Sequence, residues 1–284
     1  VIIEILLGLV VVLVARGAFM FHRLRYGVRR YETEKPELPA GLKDPAIIVF
    51  SKTNGYRHSD AIVGANAAVR SIAEENGWSV VFTESGAAFN AGDLGRFRAT
   101  IWNNTTGDVL NTEQKEAFRK YVEDGGGFLG LHGAGGDFQY EWRWYVETLI
   151  GAQFIGHTLF PQMPTATIRI ENHDDAATRN LPKTWIRADE WYAFDKSPRA
   201  EGVTVLATVD ESGYKTRMAW KNIKMGADHP IVWKRRVGKG RAFYSAIGHA
   251  GSAYAEPNYL AMLEGAIKWA AGLEGRDRSA SDED

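Results

Sequence analysis

FLGLHGAGGD, residues 128–137, is the stretch around which the rest of the chain can be ordered. Its opening FLGL fits a short strand buried on both faces. His132 follows, with Gly130 just upstream and Gly133, Gly135 and Gly136 just downstream. A strand that turns sharply into a helix needs small neighbours, because the backbone there is crowded and strained. Such a turn sets its central side chain at the sheet edge and aims backbone N–H groups outward, toward an anion or a developing oxyanion. The same glycines could also make only a tight turn, with His132 capping the helix.

Outward from this stretch, apolar runs alternate with helical ones. Ala46–Phe50, Trp78–Phe82 and Ala99–Trp102 read as strands that precede it. Ser59 or Asp60 can cap a helix that reaches Asn76 and stops at Gly77. Thr112 can cap the next, with Glu113, Gln114 and Glu116 suiting its first turn. A helix is expected over Asp137–Ile150. From Gly151 to Arg236 the pattern is less regular, with strands at Thr165–Ile170, Val203–Thr208 and Ile231–Lys234, some of them antiparallel. Ala242–Ala246 and a helix over Pro257–Ala271 close the domain. Strands alternating with helices predict an α/β, doubly wound, mostly parallel sheet over residues 46–272.

Composition narrows the function. A formal net charge of −1 gives no basic footprint, so no nucleic-acid partner is expected. The absence of cysteine rules out disulfides, thiolate metal sites and a thiol nucleophile. Residues 1–22 are almost wholly apolar, broken by Glu4 and Arg16, and Arg23, Arg25, Arg29 and Arg30 follow. A cleaved signal peptide carries its positive charge before the apolar run, so an uncleaved single-pass membrane anchor is expected, with the domain cytoplasmic by the positive-inside rule. Residues 23–45, basic and proline-containing, read as a linker, and residues 273–284 as a disordered polar tail.

Ligands of open α/β sheets bind beyond the carboxyl ends of the strands. The residues that follow the predicted strands there are 51–58 with Tyr56, Arg57 and His58, then Asn103 and Asn104, then His132, then Gly248 and His249. His58, His132 and His249 are therefore expected in one pocket, within ~10 Å of each other. His157 can reach it from the irregular region. Asp189 and Glu190 are adjacent, and adjacent strand side chains face opposite ways. Glu190 is taken as the site carboxylate, the alternative being an ion pair with Arg187. His58, His132 and His157 with Glu190 could hold a divalent metal ion such as zinc or manganese, although no compact ligand motif is present. His229, before Pro230, is as readily part of a turn.

The stretches SKTNGYRH (51–58), GLHGAGGD (130–137), GAQFIGH (151–157), ADEWYAF (188–194), DHPIVW (228–233) and GKGRAFYSAIGH (238–249) resemble, in order and spacing, the ThuA-like family, associated with trehalose and related sugar utilisation. The resemblance spans about residues 46–272. It implies a flavodoxin-like, class I glutamine amidotransferase-like three-layer sandwich. The amidotransferase elbow carries a nucleophilic cysteine after the fourth strand. The matching residue here is His132, so the resemblance implies fold and site location but not glutamine hydrolysis. Family members often show His-Pro near residue 173, and Asp174 departs from that pattern, which weakens a role for His173.

The expectation is a membrane-anchored protein acting on a small carbohydrate, a sugar or keto-sugar. His132, His58, His249 and Glu190 are the candidate catalytic groups. Imidazole suits proton abstraction beside a carbonyl, giving isomerisation or elimination, with hydrolysis as the other chemistry. Tyr56, Arg57, Asn103, Asn104, Gly133 and Trp191 are the candidate substrate-binding residues. Sugar C–H faces stack on aromatic rings, for which Trp142, Trp144, Tyr145 and Tyr192 also stand near, although most such rings belong to a core. The alternative is a non-catalytic carbohydrate-binding or sensing domain at the membrane.

Overall fold

The computed structural model describes residues 2–138 and 140–274, so the polar tail expected from residue 275 lies outside the described residues. The strands are β1 (Ala46–Phe50), β2 (Ser79–Thr83), β3 (Ala99–Asn103), β4 (Gly127–Leu131), β5 (Phe154–Gly156), β6 (Thr165–Ile170), β7 (Thr184–Ala188), β8 (Ala193–Phe194), β9 (Val203–Asp210), β10 (Arg217–Met218), β11 (Lys221–Asn222), β12 (Pro230–Val237) and β13 (Gly240–Ser245). The helices are α1 (Ile2–Tyr26), α2 (Ser59–Asn76), α3 (Ala91–Leu94), α4 (Thr112–Glu123) and α5 (Pro257–Ala270).

Nine strands join in one sheet, in the order β2-β1-β3-β4-β13-β12-β9-β6-β7. From β2 to β13 every pairing is parallel, and from β13 to β7 every pairing is antiparallel. The sheet is thus mixed rather than mostly parallel. The physical reason is that the second half returns by hairpins and loops, which connect antiparallel neighbours without a crossover helix. β7 has half-exposed alternation and was not expected from the sequence.

Register fixes where a site can form. Phe50 pairs with Trp102, and both Asn103 and Ser245 pair with Leu131. The residues that leave β1, β3, β4 and β13 therefore emerge side by side along one edge. Alternate residues of these strands face two helical layers. Trp102 lies 4.9 Å from Phe118 of α4 and 5.1 Å from Tyr145, centroid to centroid, on one face. Phe243 meets Trp269 of α5 on the other face.

Local details differ from the expectation where side chains found other partners. α2 has His58 at its N-cap with no side-chain cap, because the Asp60 carboxylate accepts instead from the Gly251 N–H (2.6 Å). Gly77 stops α2 in the left-handed region, φ 70°. α4 is capped by Asn111, which forms a capping box with Gln114, rather than by Thr112. The helix expected over 137–150 is helical only at Trp144–Ile150. Asp137 turns away to accept from the Gly107 N–H (2.6 Å), and Tyr140 donates to the Ala134 carbonyl (3.0 Å), holding the intervening chain as a loop.

α1 is exposed over Ile3–His22, a stretch long and apolar enough to cross a membrane; an anchor and a signal sequence both fit that description. The segment read as a linker is fastened to the domain from Gly27 onward. Val28 N–H donates to Asn54 O (2.6 Å), Lys52 Nζ to Arg30 O (2.6 Å) and Gln114 Nε2 to Glu32 O (2.7 Å). Lys52 is buried, which is costly for an unpaired ammonium, and it is paired by the Glu32 carboxylate. Leu273, placed in the tail from sequence, is buried in the core.

Candidate active site

The carboxyl edge of the parallel strands brings three histidines together. His58 ends the loop after β1, His132 follows β4 directly, and His249 lies four residues beyond β13. Their ring centroids are 4.9 Å apart for His58–His132, 5.2 Å for His58–His249 and 5.3 Å for His132–His249. His132 has φ 40°, a strained conformation for a residue with a β-carbon that costs ~1–3 kcal/mol. The turn tolerates it because its glycines admit close neighbours: a β-carbon on Gly135 would stand 2.5 Å from the Tyr244 ring. Tyr244 in turn donates to the His132 carbonyl (2.8 Å).

Glu190, just beyond β7, is the centre of the cluster. One carboxylate oxygen, Oε2, is 2.7 Å from His249 Nδ1, 3.3 Å from His132 Nε2 and 4.0 Å from His58 Nε2. The other, Oε1, is 2.9 Å from His157 Nδ1 and accepts from Gln162 Nε2 (2.9 Å). His157 thus joins the site through the second oxygen. Asp189 turns the other way. It accepts from the N–H groups of Gly248 (2.9 Å) and His249 (3.1 Å) and pairs with Arg187 (3.1 Å), so the ion pair considered for Glu190 belongs to its neighbour.

Ionisation follows from these contacts. Burial alone would raise the Glu190 carboxyl, but hydrogen bonds from His132, His157 and His249 outweigh it and hold the group far below the usual carboxylate range. Burial, with the charges of His132 and His249, pushes His58 well below an ordinary imidazole, so it rests neutral. Burial also acts to lower His249, yet its bond to Glu190 and the nearby carboxylates raise it overall. A neutral imidazole and one held toward its protonated form on either side of a carboxylate are the arrangement that acid–base chemistry uses.

His132 raises a separate point. Its Nδ1 lies 2.7 Å from the Ala246 carbonyl, which can only accept, so Nδ1 carries the proton. In the neutral ring Nε2 then presents a lone pair to Glu190 Oε2 at 3.3 Å. His249 Nδ1, 3.3 Å from His132 Nε2 and 2.7 Å from Glu190 Oε2, can donate between the two, and a cation is the other species that suits the position. His58, His132, His249 and Glu190 offer ligand atoms that all lie within 4.8 Å of one another. A tetrahedral ion with bonds of ~2.0–2.1 Å spaces its ligands roughly 3.4 Å apart, so His132, His249 and Glu190 fit with small shifts and His58 must move in. The Nδ1–Ala246 bond supplies the outer contact that orients a metal-bound imidazole. The sequence had placed His157 in this set, and His249 takes that place.

A cleft of about 270 Å³ opens onto the cluster, lined by Tyr56, His58, Thr106, Gly136, Asp137, Phe138, Phe154, His157, Gln162, Glu190 and Tyr192. His132 is fully buried and is not among the lining residues: it stacks on Tyr192 (4.1 Å between centroids) and supports Glu190 from behind. Of the expected substrate-binding residues, Tyr56 lines the cleft. Arg57 is drawn off by Glu84 (2.6 Å). Asn103 is buried against Ile62 O and Asn66, and Asn104 bonds Tyr254 and receives the Gly133 N–H. Trp191 is buried with its indole N–H on Pro164 O (2.8 Å). These four, with Gly133, shape the edge rather than line the cleft, and Trp142, Trp144 and Tyr145 pack around Phe118 and Trp102. His229 is a structural pin between Glu211 (3.0 Å) and Tyr192 O (2.8 Å). Asp189, Gln162, Phe138 and Phe154 were not picked out from sequence; only the carboxylate beside Glu190 gave a signal.

The fold and the cluster define an α/β protein with a cleft and a His–Glu cluster at the carboxyl edge of its sheet. The chain belongs to the ThuA family, described as trehalose utilisation, whose sequence profile matches residues 46–270. Among solved structures it is similar to a ThuA-like protein from Bacteroides uniformis, with a TM-score of 0.68 and 23% identity over 86% of this chain and 98% of that one. A ThuA-like protein from Parabacteroides merdae gives a TM-score of 0.61 and 18% identity over 81% and 90% of the two chains. A β-galactosidase from Bacillus circulans gives 0.51 and 13% identity, over 80% of this chain and 31% of the larger one. At such identities these likenesses speak for the fold alone. No curated protein matches the chain.

Proposed function

We propose that this protein is an enzyme of carbohydrate metabolism that converts a sugar or keto-sugar by proton transfer, held at a membrane by α1. The observation that carries the reading is the Glu190 carboxylate, which bridges His58 and His157 at the floor of a cleft lined by both. The volume, about 270 Å³, falls just below the ~300–1,000 Å³ usual for ligand cavities and suits about one sugar ring. Tyr56, Phe138, Phe154 and Tyr192 offer faces for sugar C–H groups, and Asp137, Thr106 and Gln162 offer partners for hydroxyls.

In this scheme one imidazole takes the proton from the carbon beside the carbonyl. The C–H electron pair forms the C=C bond of an enediol, and the carbonyl oxygen receives its proton from the other imidazole. Return of that proton to the former carbonyl carbon, with loss of the neighbouring hydroxyl's proton to the imidazole that had protonated the oxygen, completes an isomerisation and restores both imidazoles. Glu190 stabilises the imidazolium that forms. His132 and His249 are positioning residues that hold Glu190 in place. A divalent cation would be held by His58, His132, His249 and Glu190, and would supply polarisation of a sugar oxygen. His58 would then be a ligand, leaving His157 facing the cleft for proton transfer. The amidotransferase-like reading extends to the elbow after β4 but not to its chemistry, since the chain has no cysteine.

The test is turnover of a panel of sugars and keto-sugars followed by NMR in D₂O, with elemental analysis of the same protein before and after chelation. Deuterium at the carbon beside the carbonyl is expected, and His157→Ala should lower turnover ~10²–10⁴-fold, the usual loss of a general acid or base. Binding without conversion across the panel would sink the enzyme reading in favour of a carbohydrate-binding domain.

A further inference from the structure

α1 ends at Tyr26, and the chain is fastened to the domain two residues later. Val28 N–H donates to the Asn54 carbonyl (2.6 Å), and Asn54 Nδ2 and Lys52 Nζ both hold the Arg30 carbonyl (3.0 and 2.6 Å). Lys52 and Asn54 belong to the loop after β1 that delivers Tyr56 and His58 to the cleft. On the other side of the strap, Arg29 pairs with Glu141 (2.8 Å), three residues beyond Phe138 of the cleft wall. The apolar span closes at His22, and four helical residues plus two extended ones to Val28 cover at most ~13 Å. A bilayer that contains α1 therefore begins within that reach of the cleft-bearing edge. The turn at Gly238 and Lys239 marks the opposite edge, a further ~20 Å away by the six-residue length of β13.

The second observation is the cleft mouth itself. Tyr56 and Phe138 line the cleft while remaining 50% and 51% exposed. Phe160, 90% exposed, and Met163, 42% exposed, lie on the loop that carries His157 and Gln162 into the site. Large apolar side chains left in water cost free energy unless something covers them. Aromatic rings with a polar rim are the mixture found at the headgroup layer of a bilayer. We infer that the bilayer holding α1 is also the surface on which the cleft mouth rests, with Tyr56, Phe138, Phe160 and Met163 in the headgroup layer. This rests on the anchor reading of α1 proposed above.

The test uses the full chain in phosphatidylcholine–phosphatidylglycerol vesicles. With no native cysteine, a fluorophore on Phe160→Cys, Phe138→Cys or Lys239→Cys reports one position without background. The labels at 160 and 138 should lose most of their emission when the lipids carry a quencher near the headgroup, while the label at 239 keeps its own. Flotation with the vesicles after a carbonate wash is read on the same samples. Flotation with no more quenching at 160 and 138 than at 239 overturns the inference and leaves the anchor standing. Failure to float removes both.

Discussion

The two halves of the sheet do different work at the site. The parallel half, β2 to β13, brings His58, His132 and His249 to one edge through strand ends in register. The antiparallel half, β12 to β7, ends β9 and β7 at that same edge, and the residues beyond β7 and the loops around it bring in Glu190, Asp189, His157 and Gln162. Imidazoles alone would repel one another once protonated; the carboxylates turn the cluster into a set of opposed charges. The lesson is that the regular half places the site and the irregular half sets its charge.

The largest expected effect tests that division directly. Glu190→Gln keeps the shape but removes the charge between the histidines, and turnover should fall ~10²–10⁴-fold with the melting transition retained. Full activity in this variant would mean that the antiparallel half only shapes the cleft. Asp189→Ala should show mainly in stability. It leaves Arg187 with only Glu256 at 3.4 Å and strips the acceptor from Gly248 and His249. A loss of about 3–5 kcal/mol in urea unfolding is expected for breaking such a buried pair, and an unchanged midpoint would refute it.

Smaller effects sharpen the comparison on the parallel side. Burial would raise the Glu32 carboxyl, but the bonds from Lys52 and Gly86 outweigh it and hold it below 4.5. A lowered carboxyl contributes stability that is present above its unfolded value and lost as pH falls through the folded one. The parent should be more stable than Glu32→Gln at pH 7, by about 1–3 kcal/mol because the buried Lys52 ammonium loses its charged partner, and the difference should shrink as pH falls through the lowered Glu32 value. A gap that widens on acidification has the wrong sign. The smallest effect belongs to Arg57→Ala. Its partner Glu84 is exposed, so stability should move by less than ~0.5 kcal/mol and KM should hold. A large rise in KM would return Arg57 to the substrate site.

The parallel half was legible because a strand buried on both faces is an unbroken apolar run closed by turn residues. Ala46–Phe50 and Gly127–Leu131 are buried at every position. Position after such a strand was enough to gather His58, His132 and His249. It was not enough to show that His132 stands behind Glu190, since order along an edge says nothing of depth. β7 reads TWIRA with alternating exposure and gave no comparable signal. Arg57, Asn103 and Trp191 were misjudged because each has a local partner (Glu84, Asn66, Pro164) that no spacing rule reveals. The strap at 27–32 reads as a linker because part of its bonding runs through backbone carbonyls, which every sequence has, and its side-chain partners lie far away in the chain.

The distances along the chain between these groups bear on how the protein comes to be made. Glu190 lies 58 residues after His132, and His249 another 59 beyond that. Contacts so far apart in sequence pay their loop-closure entropy late in folding. During synthesis the elbow histidines emerge before the carboxylate that gathers them, which follows only after several more strands. A chain halted before β7 carries imidazoles with no Glu190 to draw them together. The cluster is therefore complete only once His249, beyond β13, has been made.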